Sequence, residues 1–270
     1  MNFILIDTSY LIFYRFFALK RWWELSHAEI NLIENDIINP EFCEKFTKTI
    51  IESIGNIKKH LKLNKDKCHI ISALDCPREQ IWRSELYSQY KSNRVNTLKI
   101  GDFFKQVYNE DLLIKGGVNH ILKYNKLEAD DIISIVKNII RDKYPETNIW
   151  IIANDHDYLQ LLDDKTHLFN LKYENLKQKK NVFEQPAKNL FYKIVLGDKS
   201  DNIKPVFNRC GPTTIEKYYN DPDLFKKELD KSISAQENYK LNNILIDFNN
   251  IPSNIKNQFI EKNITYFNTL

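Results

Sequence analysis

The stretch KLEADDIISIVKNII, residues 126–140, opens on three acids and then settles into an apolar helical period. A helix over Ala129–Lys143 follows from it, and the next apolar run, Asn148–Ala153, has the length and composition of a strand. Upstream, Phe3–Ile6 closes on Asp7 and His69–Leu74 closes on Asp75, with a long helical pattern from about Glu41 to Leu63 between them. The order β, α, β, α, β predicts an α/β fold built on a parallel sheet with right-handed crossovers. In such sheets ligands bind just outside the carboxyl ends of the strands, where residues distant in sequence converge. The three strands thus deliver Asp7, Asp75, Asp155 and Asp157 to the edge at which Glu128, Asp130 and Asp131 open their helix.

Taken singly, each acid has an ordinary explanation. An Asp after a strand is a turn residue or a helix cap, and acids in a first helical turn complement the helix dipole. Four independent strand ends or helix starts, all acidic and all on one edge, have no reason to coincide for folding alone. Gathered in one crevice, these carboxylates raise one another's pKa unless something positive sits among them. Carboxylates without histidine or thiolate at ligand spacing select Mg²⁺, with Mn²⁺ as a substitute, over Zn²⁺. Their number exceeds the needs of one Mg²⁺ and fits a pair of ions about 4 Å apart, the arrangement that serves attack of water on a phosphate. His156, the one histidine inside an acidic motif, reads as structural or as a partner of a ligand.

Composition narrows the class. The chain has 270 residues, 43% of them hydrophobic and 13% aromatic, enough for a sizeable buried core. The amino terminus is broken at Asp7 and carries no basic leader or long apolar stretch, so an intracellular, cytoplasmic chain with no membrane span is expected. Cys43, Cys68, Cys76 and Cys210 have neither CxxC spacing nor disulfide-scaffold density and read as packing residues. Net charge is only +3, yet with the acids drawn into a crevice the remaining surface must be more basic than the total suggests.

Two basic segments stand out. In QIWRSELYSQYKSNR, helical spacing would put Arg83, Tyr87, Lys91 and Arg94 along one face with Tyr90 beside them. Such a face could meet a phosphodiester and an unpaired base, or it could be the exposed side of an amphipathic helix with Trp82 and Leu86 buried; both readings stay open here. From Arg83 to about Lys126 the chain is polar, basic and helical in period, which suits an insertion over the crevice. Farther on, a helical run stops at Gly197, a loop carries Asp198 and Asp201, and Gly211-Pro212-Thr213-Thr214 starts a new helix. Two helices joined in this way can present backbone N–H groups to a duplex phosphate. The polar stretch from Phe169 to Val182, with Lys177, Lys179 and Lys180, reads as a loop or hairpin, and the chain from Ala187 onward as helical.

The motifs FILIDTS, ALD with WRSELYSQYKSNR, LEADDII, IIANDHDYLQLL, and VLGDKSDNI leading to CGPTTI resemble, as an ordered set over Met1 to about Tyr219, the 5′ nuclease superfamily. That superfamily comprises flap endonucleases, the 5′ nuclease domain of bacterial DNA polymerase I, and phage 5′-exonuclease/RNase H enzymes. The resemblance implies a PIN-like parallel sheet flanked by helices over residues 1–186, with a helical arch at about 83–127. It also implies a helix–three-turn–helix and C-terminal helices over 187–270. It assigns Asp7, Asp75, Glu128 and Asp130 to one metal and Asp155, Asp157 and Asp201 to the second, with Asp131 and Asp198 as extra acids. Lys91 and Arg94 fall on the family's active-site cations and Tyr90 on the neighbouring aromatic.

Arg83, Tyr87, Arg209, Gly211, Thr213 and Thr214 are the candidate nucleic-acid contacts. The family hairpin usually reads Gly-x-Gly-x-Lys-Thr-Ala, whereas here Arg209-Cys210-Gly211-Pro212-Thr213-Thr214-Ile215 replaces its first Gly and its Lys, at a turn where the resemblance implies a K⁺ ion. The expected function is a stand-alone, monomeric, structure-specific 5′-3′ exonuclease or flap endonuclease for replication or repair. Its substrates would be branched or 5′-ended DNA or an RNA/DNA hybrid, and a clamp or single-strand-binding partner is not readable. A PIN-type ribonuclease is much smaller and lacks the YKSNR segment and the hairpin. A non-catalytic DNA-binding homologue would show replaced carboxylates, and none is replaced.

Overall fold

The structure, a computed structural model, describes residues 1–27, 32–34, 37–94 and 100–270. Five parallel strands form one sheet: β1 (Asn2–Asp7), β2 (Cys68–Leu74), β3 (His120–Lys123), β4 (Asn148–Ile152) and β5 (Thr166–Phe169), in the order β3-β2-β1-β4-β5. The chain winds outward from β1 to one side and then returns to build the other. The topological switch therefore lies at the end of β1, the place where an open α/β sheet offers a crevice. Asp7 sits level with Ala73, just short of Asp75, and Ile6 lies level with Ile152, just short of Asp155.

Alternation along β1 divides the core into two layers. Phe3 and Leu5 belong with helix α4 (Ala129–Lys143), while Ile4 and Ile6 belong with α1 (Thr8–Ser26), α2 (Pro40–Gly55) and α3 (Ile100–Asn109). Asn39 caps α2, its Oδ1 accepting from the N–H of Glu41 at 2.9 Å, and Pro40 occupies the first turn, where a missing N–H costs nothing. Six more helices follow the sheet: α5 (Pro186–Leu196), α6 (Pro212–Asn220), α7 (Pro222–Asp230), α8 (Ile233–Ile246), α9 (Ser253–Lys262) and α10 (Ile264–Thr269). Their own cluster joins Tyr192, Val195, Val206, Ile215, Phe225 and Ala235. All four cysteines are free and half-buried or buried, in keeping with packing roles. Among the described residues no helix is long and apolar enough to cross a membrane.

Three expectations are corrected. The chain at Trp82–Leu86 is helical, but Tyr87 is extended and Lys91 has a φ of 55°, so no continuous helical face joins Arg83 to Arg94. Leu86, which the amphipathic-helix reading would bury, is exposed. The insertion is also smaller than 83–127: α3 is buried through Ile100, Phe103 and Val107 against α1 and α2, and His120–Lys123 is an edge strand of the sheet. Residues 95–99 of the expected arch lie outside the described residues. The strand Thr166–Phe169 lies just ahead of the stretch expected to be irregular, which from Asn170 on does form turns and a short 3-10 segment at Leu176–Gln178.

Candidate active site

Charge is brought to the sheet edge by short, local devices. The N–H of Tyr10 donates to Asp7 Oδ1 (3.0 Å) and Tyr158 Oη donates to Asp7 Oδ2 (2.9 Å), fixing the carboxylate at the start of α1. Asp75 Oδ1 accepts the N–H of Ala129 at 2.8 Å, and its other oxygen accepts the Ser9 hydroxyl. Glu128 and Asp131 form a reciprocal cap at the start of α4. Beneath them Arg83 is 2% exposed; its Nη1 and Nη2 donate to Asp131 at 2.9 and 2.8 Å, Nη1 also reaches Glu128 at 3.1 Å, and Nε donates to the Leu245 carbonyl at 2.7 Å.

This corrects the expectation for Arg83, whose guanidinium is committed to carboxylates inside the protein and is not presented to a nucleic acid. Asp131 is equally committed, because Trp82 Nε1 (2.9 Å) and the Glu128 N–H (3.1 Å) take up the oxygen that Arg83 shares. Asp130 is different: its one bond within the site is Oδ1 accepting the Asp131 N–H at 2.7 Å, and no cation pairs with it among the described residues.

The electrostatics follow this wiring. Burial, then the charge of Asp75, pushes the Asp7 carboxyl up to about 7. Burial raises Asp75 as well, and burial together with Asp131 pushes Asp130 well above the usual carboxylate range. Burial would raise Glu128 too, but the Lys91 ammonium and the Arg83 guanidinium outweigh it and hold that carboxyl low.

A second strand of chain crosses this site. The loop at 198–202 is zipped to residues 87–94: the Lys91 N–H donates to the Asp201 carbonyl (2.9 Å), Asn93 Nδ2 to the Lys199 carbonyl (2.7 Å), and Asn202 Nδ2 to the Gln89 carbonyl (3.0 Å). These bonds replace the helical ones that the local sequence would have made. The zipper brings Lys91 Nζ onto Glu128 and to 3.7 Å from Asp201, pairs Arg94 with Asp201, and leaves Arg94 half-exposed. Tyr90 is buried, with Oη 3.0 Å from Glu128 and 3.2 Å from Asp201, so its single proton sits between two acids. Tyr87 is half-buried and its hydroxyl donates to the Asn202 carbonyl at 3.1 Å. Neither tyrosine stands on an open helical face.

Asp155, Asp157, Asp198 and Asp201 make the second acidic group. Asp155 caps the short turn at His156–Leu161 by accepting the Asp157 N–H at 2.9 Å, while His156 itself is exposed. Among them lies Lys193, from the last turn of α5, with Nζ 2.5 Å from Asp157, 2.8 Å from Asp198 and 3.7 Å from Asp155. Sequence reasoning missed this residue; its only signal was a lysine one helical turn before a glycine stop and an acidic loop. Burial and Asp155 push Asp157 up to about 7 despite that lysine, whereas Lys193 and Ser200 overcome burial and bring Asp198 down to about 2. Oxygens of Asp157, Asp198 and Asp201 lie within 4.8 Å of one another, and so do those of Glu128, Asp130 and Asp131. A donor set made only of carboxylate oxygens, several of them driven toward protonation by burial and by one another, fits hard divalent cations.

The link from α5 to α6 starts at Gly197, with φ 67°, where a side chain's Cβ would meet the Ile203 and Lys204 carbonyls at 2.5 Å. Arg209 also takes a left-handed conformation, φ 65°, at the position where a glycine was expected. Arg209, Gly211 and Thr213 are exposed and Thr214 is half-buried at the start of α6. Tyr192 Oη donates to Glu216 at 2.5 Å and Lys188 pairs with Glu216 at 2.7 Å, tying the two helices together.

Comparison with known proteins gives a consistent result. The model of the family described as 5′-3′ exonuclease, N-terminal resolvase-like domain, matches residues 2–187. A 5′-3′ exonuclease of Mycoplasmopsis pulmonis is 26% identical over 211 residues, 76% of this chain and 62% of that protein. The protein called ribonuclease H from Enterobacteria phage T4 is 29% identical over 276 residues, 91% of this chain and 83% of that one. DNA polymerase I of Streptococcus pneumoniae is 29% identical over 224 residues, but this chain covers only 23% of it. A bacteriophage T5 flap endonuclease, solved as a pseudo-enzyme–product complex with DNA and metal ions, superposes with a TM-score of 0.64 at 18% identity, covering 99% of this chain and 100% of that one. The T5 5′-exonuclease with bound divalent zinc gives 0.64 at 17% identity over the same shares, so the fold is common to both.

Proposed function

From the premise that this chain belongs to the 5′-3′ exonuclease family, we propose that it is a structure-specific 5′ nuclease, hydrolysing phosphodiesters near 5′ ends or single-strand/duplex junctions in replication or repair. The observation that carries the reading is that Asp7 and Asp75, at neighbouring strand ends and the latter bonded to the start of α4 through the Ala129 N–H, meet Glu128, Asp130 and Asp131 there, while Asp157, Asp198 and Asp201 gather beside them, the two groups joined through Tyr90 and Lys91. Asp7, Asp75, Glu128 and Asp130 would hold one Mg²⁺, or Mn²⁺ in its place, and Asp155, Asp157 and Asp201 the other, with Asp198 beside them. Bound there, the ions acidify a water and stabilise charge on the reacting phosphate.

The chain's own residues do the rest. Lys91 and Arg94, at the seam of the two groups, neutralise the phosphodiester as it approaches the acids. Arg83 and Asp131 hold Glu128 in place. The start of α6, with Arg209, Gly211 and Thr213 exposed and Thr214 half-buried beside them, faces a duplex backbone with backbone N–H groups and a cation and reads no sequence. A K⁺ ion in that turn is the finer part of the reading, and Arg209 supplies a fixed positive charge at the same place.

The test is a cleavage time course on a 3′-labelled 5′-flap DNA, with Mg²⁺ and with chelator, the product ends mapped to the nucleotide. Metal-dependent cuts beside the junction are expected; folded protein that binds the flap and leaves it intact would overturn the reading. An RNA/DNA hybrid is the second substrate to assay, because the phage T4 relative carries the name ribonuclease H.

A further inference from the structure

We propose that Lys193 is the resident counter-ion of the second carboxylate group, and that a divalent cation entering there displaces its ammonium into the adjoining cavity. The inference rests on the two-metal reading above. Lys193 Nζ touches three acids, at 2.5, 2.8 and 3.7 Å, and among the described residues no other lysine or arginine pairs with Asp155, Asp157 or Asp198. Two of its partners, Asp157 and Asp198, belong to the trio whose oxygens, with those of Asp201, lie within 4.8 Å of one another, and an ammonium and a divalent cation a few ångströms apart in a partly buried site repel strongly.

Two features make Lys193 a movable cation. Its charge rides on a flexible four-carbon stem, unlike the forked guanidinium of Arg83, which is pinned by a backbone carbonyl as well as by carboxylates. It also lines a cavity of about 780 Å³ shared with Leu159, Phe183, Tyr192, Lys199 and Glu216, so a displaced ammonium has open space, with a carboxylate on its wall, within reach of its own stem. That cavity borders the start of α6. A displaced Lys193 would then add positive charge beside the proposed duplex-facing turn, so filling the second metal site would strengthen the grip on the backbone.

Mn²⁺ titration calorimetry on the whole chain tests this without reference to turnover. The wild type is expected to show a tighter and a weaker site. Lys193→Met should tighten the weaker site by roughly tenfold or more, the loss of a competing charge worth about 1.4 kcal/mol, and leave the tighter site unchanged. Lys193→Arg, which keeps the charge, should not tighten it. Without metal the methionine variant should melt below the wild type, and saturating Mn²⁺ should close that gap. Lys193→Gln carries the same expectation should the methionine variant fail to fold without metal. Equal second-site affinity in wild type and neutral variants overturns the counter-ion proposal alone. A single site in every protein overturns the two-metal reading, and the proposal with it.

Discussion

At Glu128 and Asp131 the balancing cations are a guanidinium sealed in the core and the ammonium of Lys91; at Asp155, Asp157 and Asp198 the balance falls to one lysine at the end of a helix. The first arrangement is permanent. Arg83 is held on all sides and cannot leave without exposing two buried carboxylates to one another. The second is provisional, since a single long side chain can swing away when a better cation arrives. Between them Asp7, Asp75 and Asp130 have no ion pair of their own among the described residues, and burial drives all three carboxyls upward. The comparison separates Asp131, whose charge is balanced inside the protein, from the acids left to the proposed metals.

The sharpest test is to neutralise one acid from each of the two proposed metal groups. Asp130→Asn and Asp155→Asn should each cut flap cleavage by at least roughly 10³-fold, about 4 kcal/mol in the barrier, while binding of the flap in a mobility-shift assay holds or tightens. Undiminished cleavage in either variant contradicts the assignment of that acid to a metal. Arg83→Met should act on the fold instead. Removing the partner of buried charges costs about 3–5 kcal/mol, read as a lower urea midpoint, and added Mn²⁺ should not restore it. Full rescue by metal would put Asp131 among the working ligands.

Lys91→Ala should give a smaller loss, about 10²-fold in single-turnover rate with little change in affinity, the usual cost of one positioned charge-stabilising donor. A change mainly in KM would make it a remote binding residue. The smallest effect is expected at Arg209→Gly. Relieving the left-handed backbone should raise stability by roughly 0.5–1 kcal/mol, and losing one cation should lower the slope of log affinity for duplex against log salt by about one. A loss of stability there would mean that the arginine side chain, and not the turn, holds the hairpin.

Much of this was legible in the sequence because it is local. The strands ending at Asp7, Asp75 and Asp155, and the helix Ala129–Lys143, announce themselves by apolar runs and by an acidic start, and all four stand where expected. What was missed depends on partners far along the chain. His120–Lys123 and Thr166–Phe169 are four-residue edge strands whose identity comes from the neighbour they pair with. The segment after Leu86 has good helical spacing and no glycine or proline to stop it, yet it is unwound by bonds to residues 199–202, more than a hundred positions away. Arg83 looked like a surface cation for the same reason, since the Asp131 that buries it is 48 residues downstream.

The most direct test of the whole account is a crystal structure of this chain soaked in Mn²⁺, with the ions located by anomalous scattering. The account predicts two peaks about 3.5–4 Å apart, one among Asp7, Asp75, Glu128 and Asp130 and one against Asp155, Asp157 and Asp201, with Lys193 turned away from the second. A single peak, or two peaks bound by Asp131 in place of Asp130, would contradict it.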